Sequence, residues 1–304
     1  MATDVFRIVV SPEAAGERLD QTLAGAGIGL SRSLARRLID LGGVHLDGRR
    51  TRRCSQSLSA GQRIAVFRDG GPLDPFVLRD EHLLFRDSYL LAVNKPAGVE
   101  TQPTPARYRG TLYAALLEYL HNPFRPLDRP ALGMVQRLDR DTSGVLVFSI
   151  HPRAHKGLSA AFSGHRVAKT YLAIVQGRII DDSGEFHSQL ARNRKSNRFQ
   201  SVGQGGKEAV TCFQVLERFP EVTLVEVKIL TGRTHQIRVH FAEAGHPLVG
   251  DRSYGRSPQT TVRQMLHAWR IILPHPVNSE PLTFEAPIPE DMNGFLKTLR
   301  ALHP

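Results

Sequence analysis

Cysteine is scarce in this chain. Its 304 residues include two, Cys54 and Cys212. Two are too few for a disulfide framework, and neither has a second Cys or a His at zinc-binding spacing. Free thiols in a reducing compartment are the expectation. Long apolar runs are missing as well, since no stretch approaches the roughly 20 residues that cross a bilayer. The opening Met1-Ala2-Thr3-Asp4-Val5 lacks the charged and apolar segments of a secretory leader, so no membrane and a cytoplasmic location are expected. There is no Gly-x-Gly-x-x-Gly, no phosphate-cradling loop ending in Gly-Lys-Ser/Thr and no His-Glu-x-x-His, which excludes the commonest nucleotide and zinc-protease signatures. Thirteen histidines do not amount to a metal site. His235 and His240 are five apart and His246 follows a turn, with no carboxylate at fitting spacing, so no metal is expected. The last shortage is of acid: 29 Asp and Glu against 40 Lys and Arg, a formal charge of +11. Such a chain is drawn to polyanions, RNA or DNA first.

A hydrophobic content of 41% over this length supports one large domain or two smaller ones. Composition changes near residue 70. Asp69-Gly70-Gly71-Pro72-Leu73-Asp74-Pro75 continues neither a helix nor a central strand. The expected organisation is a module over 1–70, a linker over 71–79 and a second module over 80–304. In the first, residues 17–26 read as a short helix with Leu19 and Leu23 on one face. Ser31 is positioned to cap a second helix over 32–41, with Leu34, Leu38 and Leu41 at helical spacing and Gly42-Gly43 ending it. Val44 to Arg49 carries the Asp-Gly signal of a hairpin. Residues 31–53 hold seven Arg against two Asp. Arg32 and Arg36 lie one turn apart, with Arg37 and Arg49 extending the charge, and such a face suits phosphate contact.

The second module mixes strands and helices. Strands are expected at 89–94, 143–150, 169–175 and 224–229, the last two alternating as half-buried strands do. Helices are expected at 151–162 and 234–244. The elements do not alternate strictly, which argues against a doubly wound parallel sheet. The densest signal is Gln136-Arg137-Leu138-Asp139-Arg140-Asp141-Thr142-Ser143-Gly144, a charged approach and a turn set against an apolar strand. It presents a carboxylate on a rigid support, with Asp141 the rival to Asp139.

That run resembles the His-Arg-Leu-Asp-x-x-Thr-Ser-Gly motif of the RluA-type pseudouridine synthases, with Gln136 where the family usually has His. Three further blocks match in the same order: Val93-Asn94-Lys95-Pro96-Ala97-Gly98-Val99, Lys169 to Gly177, and Leu230-Thr231-Gly232-Arg233-Thr234-His235-Gln236-Ile237-Arg238-Val239-His240. The last continues into Gly245-His246-Pro247 and Gly250-Asp251-x-x-Tyr254-Gly255. The first module resembles an S4 RNA-binding domain over roughly 17–66.

The resemblance implies an α+β catalytic domain with a largely antiparallel sheet and a central cleft, behind a small S4-like domain. It implies conversion of uridine to pseudouridine within RNA, without any cofactor. Asp139 becomes the catalytic carboxylate, Arg238 its partner and Tyr171 the active-site tyrosine, with Ile229 or Leu230 as a second apolar wall. Asp141 is expected to bind backbone within the turn. Arg137 would brace the space left by the everted base and Gln136 would reach RNA. Lys95 and Arg233, in loops beside the cleft, would contact phosphate. The charge run Arg192, Arg194, Lys195, Arg198 and Lys207 reads equally as a solvated loop and as a second RNA contact. His267 is expected to be structural. Ribosomal RNA, most simply of the large subunit, is the expected partner, with transfer RNA left open. A monomer is expected, though nothing in the sequence derives it. Two other classes remain: a non-catalytic RNA-binding or ribosome-assembly protein, and a glycosyl hydrolase using Asp139 with a second carboxylate, for which no Glu is well placed.

Overall fold

The computed structural model describes residues 3–255, 261 and 263–302. Their contacts divide into two compact units.

The first unit takes the chain through Leu78 together with Gly98–Pro130. Its strands are β1 (Asp4–Val9), β2 (Val44–Leu46), β3 (Arg49–Thr51) and β4 (Arg63–Arg68). They pair antiparallel in the order β1-β4-β2-β3. Helices α1 (Leu19–Gly25) and α2 (Arg32–Leu41) pack on the sheet through Leu19, Leu23, Leu38 and Ile39, against Val44, Ile64 and Val66. The helix signals act as expected. The Ser31 hydroxyl accepts the Leu34 N–H at 3.2 Å, satisfying one orphan donor of the first turn. Gly42 closes α2 with φ 87°, its N–H donating to the Ile39 carbonyl at 2.9 Å. Asp47 and Gly48 both have positive φ, 47° and 79°, as the tight β2–β3 turn requires.

Residues 71–79 contain no helix or strand. They are nevertheless tied down, because the buried Arg107 pairs with Asp69 at 3.0 Å and donates to the Pro72 carbonyl at 2.8 Å. Arg107 belongs to an excursion that includes α3 (Leu112–Tyr119) and joins this unit between two strands of the other. The contacts therefore do not divide the chain into consecutive stretches. Composition shifts reveal where a chain turns polar, not where a later segment returns to pack.

The second unit takes Arg79–Ala97 and the chain from Ala131 onward. Its strands are β5 (Leu83–Arg86), β6 (Leu90–Lys95), β7 (Gly133–Met134), β8 (Ser143–Ser149), β9 (Ala168–Gln176), β10 (Ser183–Arg192), β11 (Phe199–Val202), β12 (Lys207–Arg218), β13 (Val222–Ile229), β14 (Leu266–Pro274) and β15 (Pro281–Glu285). They form one sheet in the order β11-β10-β12-β13-β9-β14-β8-β6-β5, with β15 on β14 and β7 on β8. Every pairing is antiparallel except β14 with β8, so the architecture is α+β as expected. Helices α4 (Pro152–Ser163), α5 (Gln236–Glu243) and α6 (Glu290–Leu302) cover it.

Strands β9 and β13 were expected to be half-buried, and the structure corrects this. Ala173, Val175, Val225 and Val227 pack against Ile237 and Phe241 of α5. Leu172, Ile174, Val222 and Leu224 pack against Met292 and Leu296 of α6. Both faces of these central strands are covered, and near-continuous apolar runs serve better there than alternation. Gly144 has φ 118°, and a Cβ there would strike the backbone of Ala268. Only glycine fits where β8 crosses β14 in parallel.

Candidate active site

Asp139 opens a turn whose Thr142 N–H returns to the Asp139 carbonyl at 3.1 Å. The turn leads into the fully buried β8. It is held by groups remote in sequence. Arg263 donates to the Asp141 carbonyl at 3.1 Å and Gln264 to the Thr142 hydroxyl at 3.1 Å. The Lys95 ammonium donates to the carbonyls of Arg140, at 2.9 Å, and Pro96, at 2.8 Å. Lys95 was expected to meet phosphate. It has no exposed surface, so it is a fastener of the turn that carries Asp139. Asp141 was expected to bind backbone, but its carboxylate pairs with Arg140 at 3.3 Å.

Opposite this turn stands α5, pinned at its start by Gln236. That side-chain carbonyl accepts from the Thr231 hydroxyl and the Arg233 N–H, at 2.7 and 3.0 Å. Its amide nitrogen donates to the Val210 carbonyl and the Thr211 hydroxyl, both at 2.9 Å. With the helix fixed, the buried Arg238 reaches two carboxylates. Nη1 donates to Asp139 at 2.8 Å, while Nε and Nη2 form a two-pronged pair with Asp251 at 2.7 and 2.9 Å. Burial alone opposes the Arg238 charge, but the two carboxylates outweigh it and its pKa is raised. Burial also works against the charge on Asp251. The Arg238 hydrogen bonds, with the N–H groups of Ser253 and Tyr254, overcome this and lower its pKa. The Arg238 guanidinium also lies 5.1 Å from the Tyr254 ring centroid, within cation–π range.

Asp139 and Arg238 border a hollow of about 390 Å³, including space open to solvent, together with Tyr171, Ile229, Arg137 and Arg233. Tyr171 projects from β9, where burial first and the Asp139 charge second push its hydroxyl pKa above the usual value. It is therefore a neutral phenol beside a carboxylate. Arg137 donates to the Thr234 hydroxyl at 2.7 Å, and Arg233 to the Glu208 carbonyl at 2.7 Å.

The structure thus gathers Asp139, Tyr171, Arg238, Arg137, Arg233 and Ile229 around one cleft. Of the two expected apolar walls, Ile229 lines the hollow, while Leu230 is 56% exposed and does not. Gln136, expected to reach RNA, is half-buried, with its amide nitrogen out of solvent. His235, Asp251 and Tyr254 received no role from the sequence. The Gly-Asp-x-x-Tyr block signalled two of them, but a block match does not say which side chain faces which. His267 is buried, bonded to the Ser143 hydroxyl at 2.9 Å, with its pKa pushed down to about 4 by burial. Among the described residues no group of three His, Cys, Asp or Glu is placed to hold a metal ion. None of the described helices is long and apolar enough to cross a membrane.

Residues 89–243 match the family model described as RNA pseudouridylate synthase, and residues 17–64 match the S4 domain. The chain belongs to the RNA pseudouridylate synthase family. It is 35% identical to a protein of Bacillus subtilis named an uncharacterized RNA pseudouridine synthase, over 96% of this chain and 97% of that one. It is 36% identical to the ribosomal large subunit pseudouridine synthase D of Nitrosomonas europaea, over 98% of this chain and 89% of that one. A solved human structure, RNA Pseudouridylate Synthase Domain Containing 4, shares the fold with a TM-score of 0.61 at 24% identity, over 72% of this chain and 93% of that one. The synthase cleft lies within the second unit, and the S4 domain within the first.

In the S4 domain, Arg32 and Arg36 approach the buried Asp20 at 3.2 and 4.0 Å, and Arg18 at 3.0 Å. Arg37 pairs with Asp74 at 2.6 Å and Arg49 is exposed. All four expected phosphate contacts keep at least part of the side chain in solvent. Arg192, Arg194, Lys195, Arg198 and Lys207 are exposed at and beside the β10–β11 hairpin.

Proposed function

We propose that this synthase isomerises uridine to pseudouridine in ribosomal RNA of the large subunit, in the cytoplasm, with Asp139 as the catalytic carboxylate. One observation carries the reading. A partly exposed carboxylate at the mouth of a cleft is gripped by a buried arginine, itself anchored by a second, fully buried carboxylate. Breaking the N1 glycosidic bond builds positive charge on the ribose. A carboxylate beneath the sugar stabilises that charge or attacks the anomeric carbon. The uracil rotates, C5 bonds to the same carbon, C5 loses its proton and N1 gains one. No atom is added and no electron leaves, so the reaction needs no cofactor.

Tyr171 and Ile229 supply the two walls for the pyrimidine. Eversion of the nucleotide costs a few kcal/mol, and Arg137 at the cleft rim braces the vacated stack. Arg32, Arg36, Arg37 and Arg49 meet phosphates of the flanking RNA, sensitive to salt and indifferent to sequence. The large-subunit substrate follows from relatives whose names state it, such as the Nitrosomonas europaea protein.

The hydrolase alternative loses its second acid. The nearby carboxylate, Asp251, has no exposed surface and is fully engaged with Arg238. The test is Asp139→Asn, assayed by carbodiimide mapping of pseudouridine in ribosomal RNA. Product formation should cease while RNA affinity stays within about threefold of the parent, since the contacts that set affinity lie elsewhere. Product at the parent rate would overturn the assignment.

A further inference from the structure

His235 has no part in the chemistry above, yet its ring is held from several sides. It precedes α5 with φ 58° and ψ 17°, a left-handed backbone that residues other than glycine seldom adopt and that gathers at functional sites. Its ring is clamped edge-on by Phe199 and Tyr254, at centroid distances of 5.7 and 5.6 Å.

The hydrogen bonds around the ring bear on where its proton sits. The Tyr254 oxygen lies 3.0 Å from the Phe199 backbone N–H, which can only donate, and 2.9 Å from His235 Nδ1. The phenol keeps its proton, because burial raises its pKa. Having accepted from Phe199, the Tyr254 hydroxyl can give its own proton to Nδ1. Nδ1 is then the acceptor of the ring, and the remaining N–H belongs to Nε2. Burial keeps the ring's own pKa low. Asp139 and Asp251 pull it up, and Arg238 and Arg137 push it down. The Nε2 atom faces Asp139 at 3.7 Å, too far for a hydrogen bond. Such a donor faces the cleft, with no acceptor within hydrogen-bond distance among the described residues.

We propose that Tyr254 fixes His235 in the Nε2–H form, so that this N–H donates to a carbonyl oxygen of the everted pyrimidine beside Asp139. The pyrimidine rests on the function proposed above; the placement of the proton does not. A carbonyl oxygen only accepts, so it matches a group that only donates. The ribose hydroxyls are better served by Asp139, which accepts. Tyr254 is then a positioning residue acting through His235, and it ties the cleft to Phe199 at the end of the basic β10–β11 hairpin.

The test uses the full chain labelled with 15N-histidine. The His235 ring is assigned by the signals that vanish in His235→Gln. The parent should show a neutral ring protonated on Nε2 at pH 7, and Tyr254→Phe should shift it toward the Nδ1 form. In turnover on ribosomal RNA, His235→Ala should lose roughly tenfold in kcat/KM, the scale of one neutral hydrogen bond. His235→Gln, whose amide N–H still donates, should recover part of it. A cationic ring, a proton on Nδ1, or full turnover by the Ala variant would overturn the proposal. If the parent shows the expected ring signals but modifies no ribosomal RNA, the substrate reading has failed and the tautomer assignment stands.

Discussion

The two units each build a cluster around one buried charge, and the signs are opposite. In the S4 domain the centre is Asp20, without exposed surface, ringed by Arg18, Arg32 and Arg36, whose side chains are 42, 52 and 61% exposed. Asp20 is covered by the guanidinium groups rather than set in the core, and Arg18 is the first cause of its lowered pKa. One negative charge gathers three positive ones and leaves them facing outward in excess. In the synthase cleft the centre is Arg238, 7% exposed, between Asp251 and Asp139. Here one positive charge gathers two negative ones, of which Asp139 alone reaches solvent. The first arrangement offers positive charge to a polyanion. The second leaves a single oriented carboxylate facing the cleft. A buried ion of one sign is the means of presenting the other.

The comparison breaks most severely at Asp251. Asp251→Asn leaves the buried Arg238 short of its two-pronged partner. Stripping one member from a buried pair costs about 3–5 kcal/mol, readable as a lowered urea midpoint, and turnover should fall with it. A loss below about 1 kcal/mol would show that Asp139 alone suffices to hold Arg238. A smaller effect is expected where the charges face water. Arg32→Ala with Arg36→Ala should leave the fold intact and flatten the salt dependence of RNA binding. The expected change is on the order of 0.7–0.9 in log–log slope for each lost phosphate contact. An unchanged slope would mean that these arginines serve Asp20 and nothing else. Point substitutions are preferable to removing the first 70 residues, because 98–130 would then lose the unit they pack in.

The smallest effect is a pH signature. Asp20 has a lowered pKa in the folded chain. Its contribution to stability is therefore present above the ordinary carboxylate value of about 3.9 and fades as pH falls through the lowered folded value. The stability difference between parent and Asp20→Asn should be visible at pH 7 and vanish in acid. A difference that persists in strong acid would mean that packing, not charge, makes Asp20 matter.

Much of this was legible in the sequence because it is local. Ser31, Gly42 and Asp47-Gly48 act within four residues of themselves, so helix α2 and the β2–β3 hairpin followed directly. Asp139, Tyr171 and Arg238 were legible through family blocks, each of which keeps its order along the chain. What stayed hidden depends on partners brought together only by folding. Lys95 reads as a phosphate ligand until its ammonium is found buried on the Arg140 carbonyl, 45 residues away. Asp251 becomes the anchor of Arg238 only once α5 has folded beside it. His235 gains a definite tautomer only when Tyr254 and Phe199 converge on it. The burial of β9 and β13 on both faces required knowing that α5 and α6 cover opposite sides.

Lys95 and Gly144 together carry a further consequence. One clamps the turn from behind, and the other lets its outgoing strand press against Ala268 without a side chain between them. The turn that carries Asp139 is thus fastened to the middle of the sheet. In the proposed reaction the carboxylate would then be the anvil on which the nucleoside is turned.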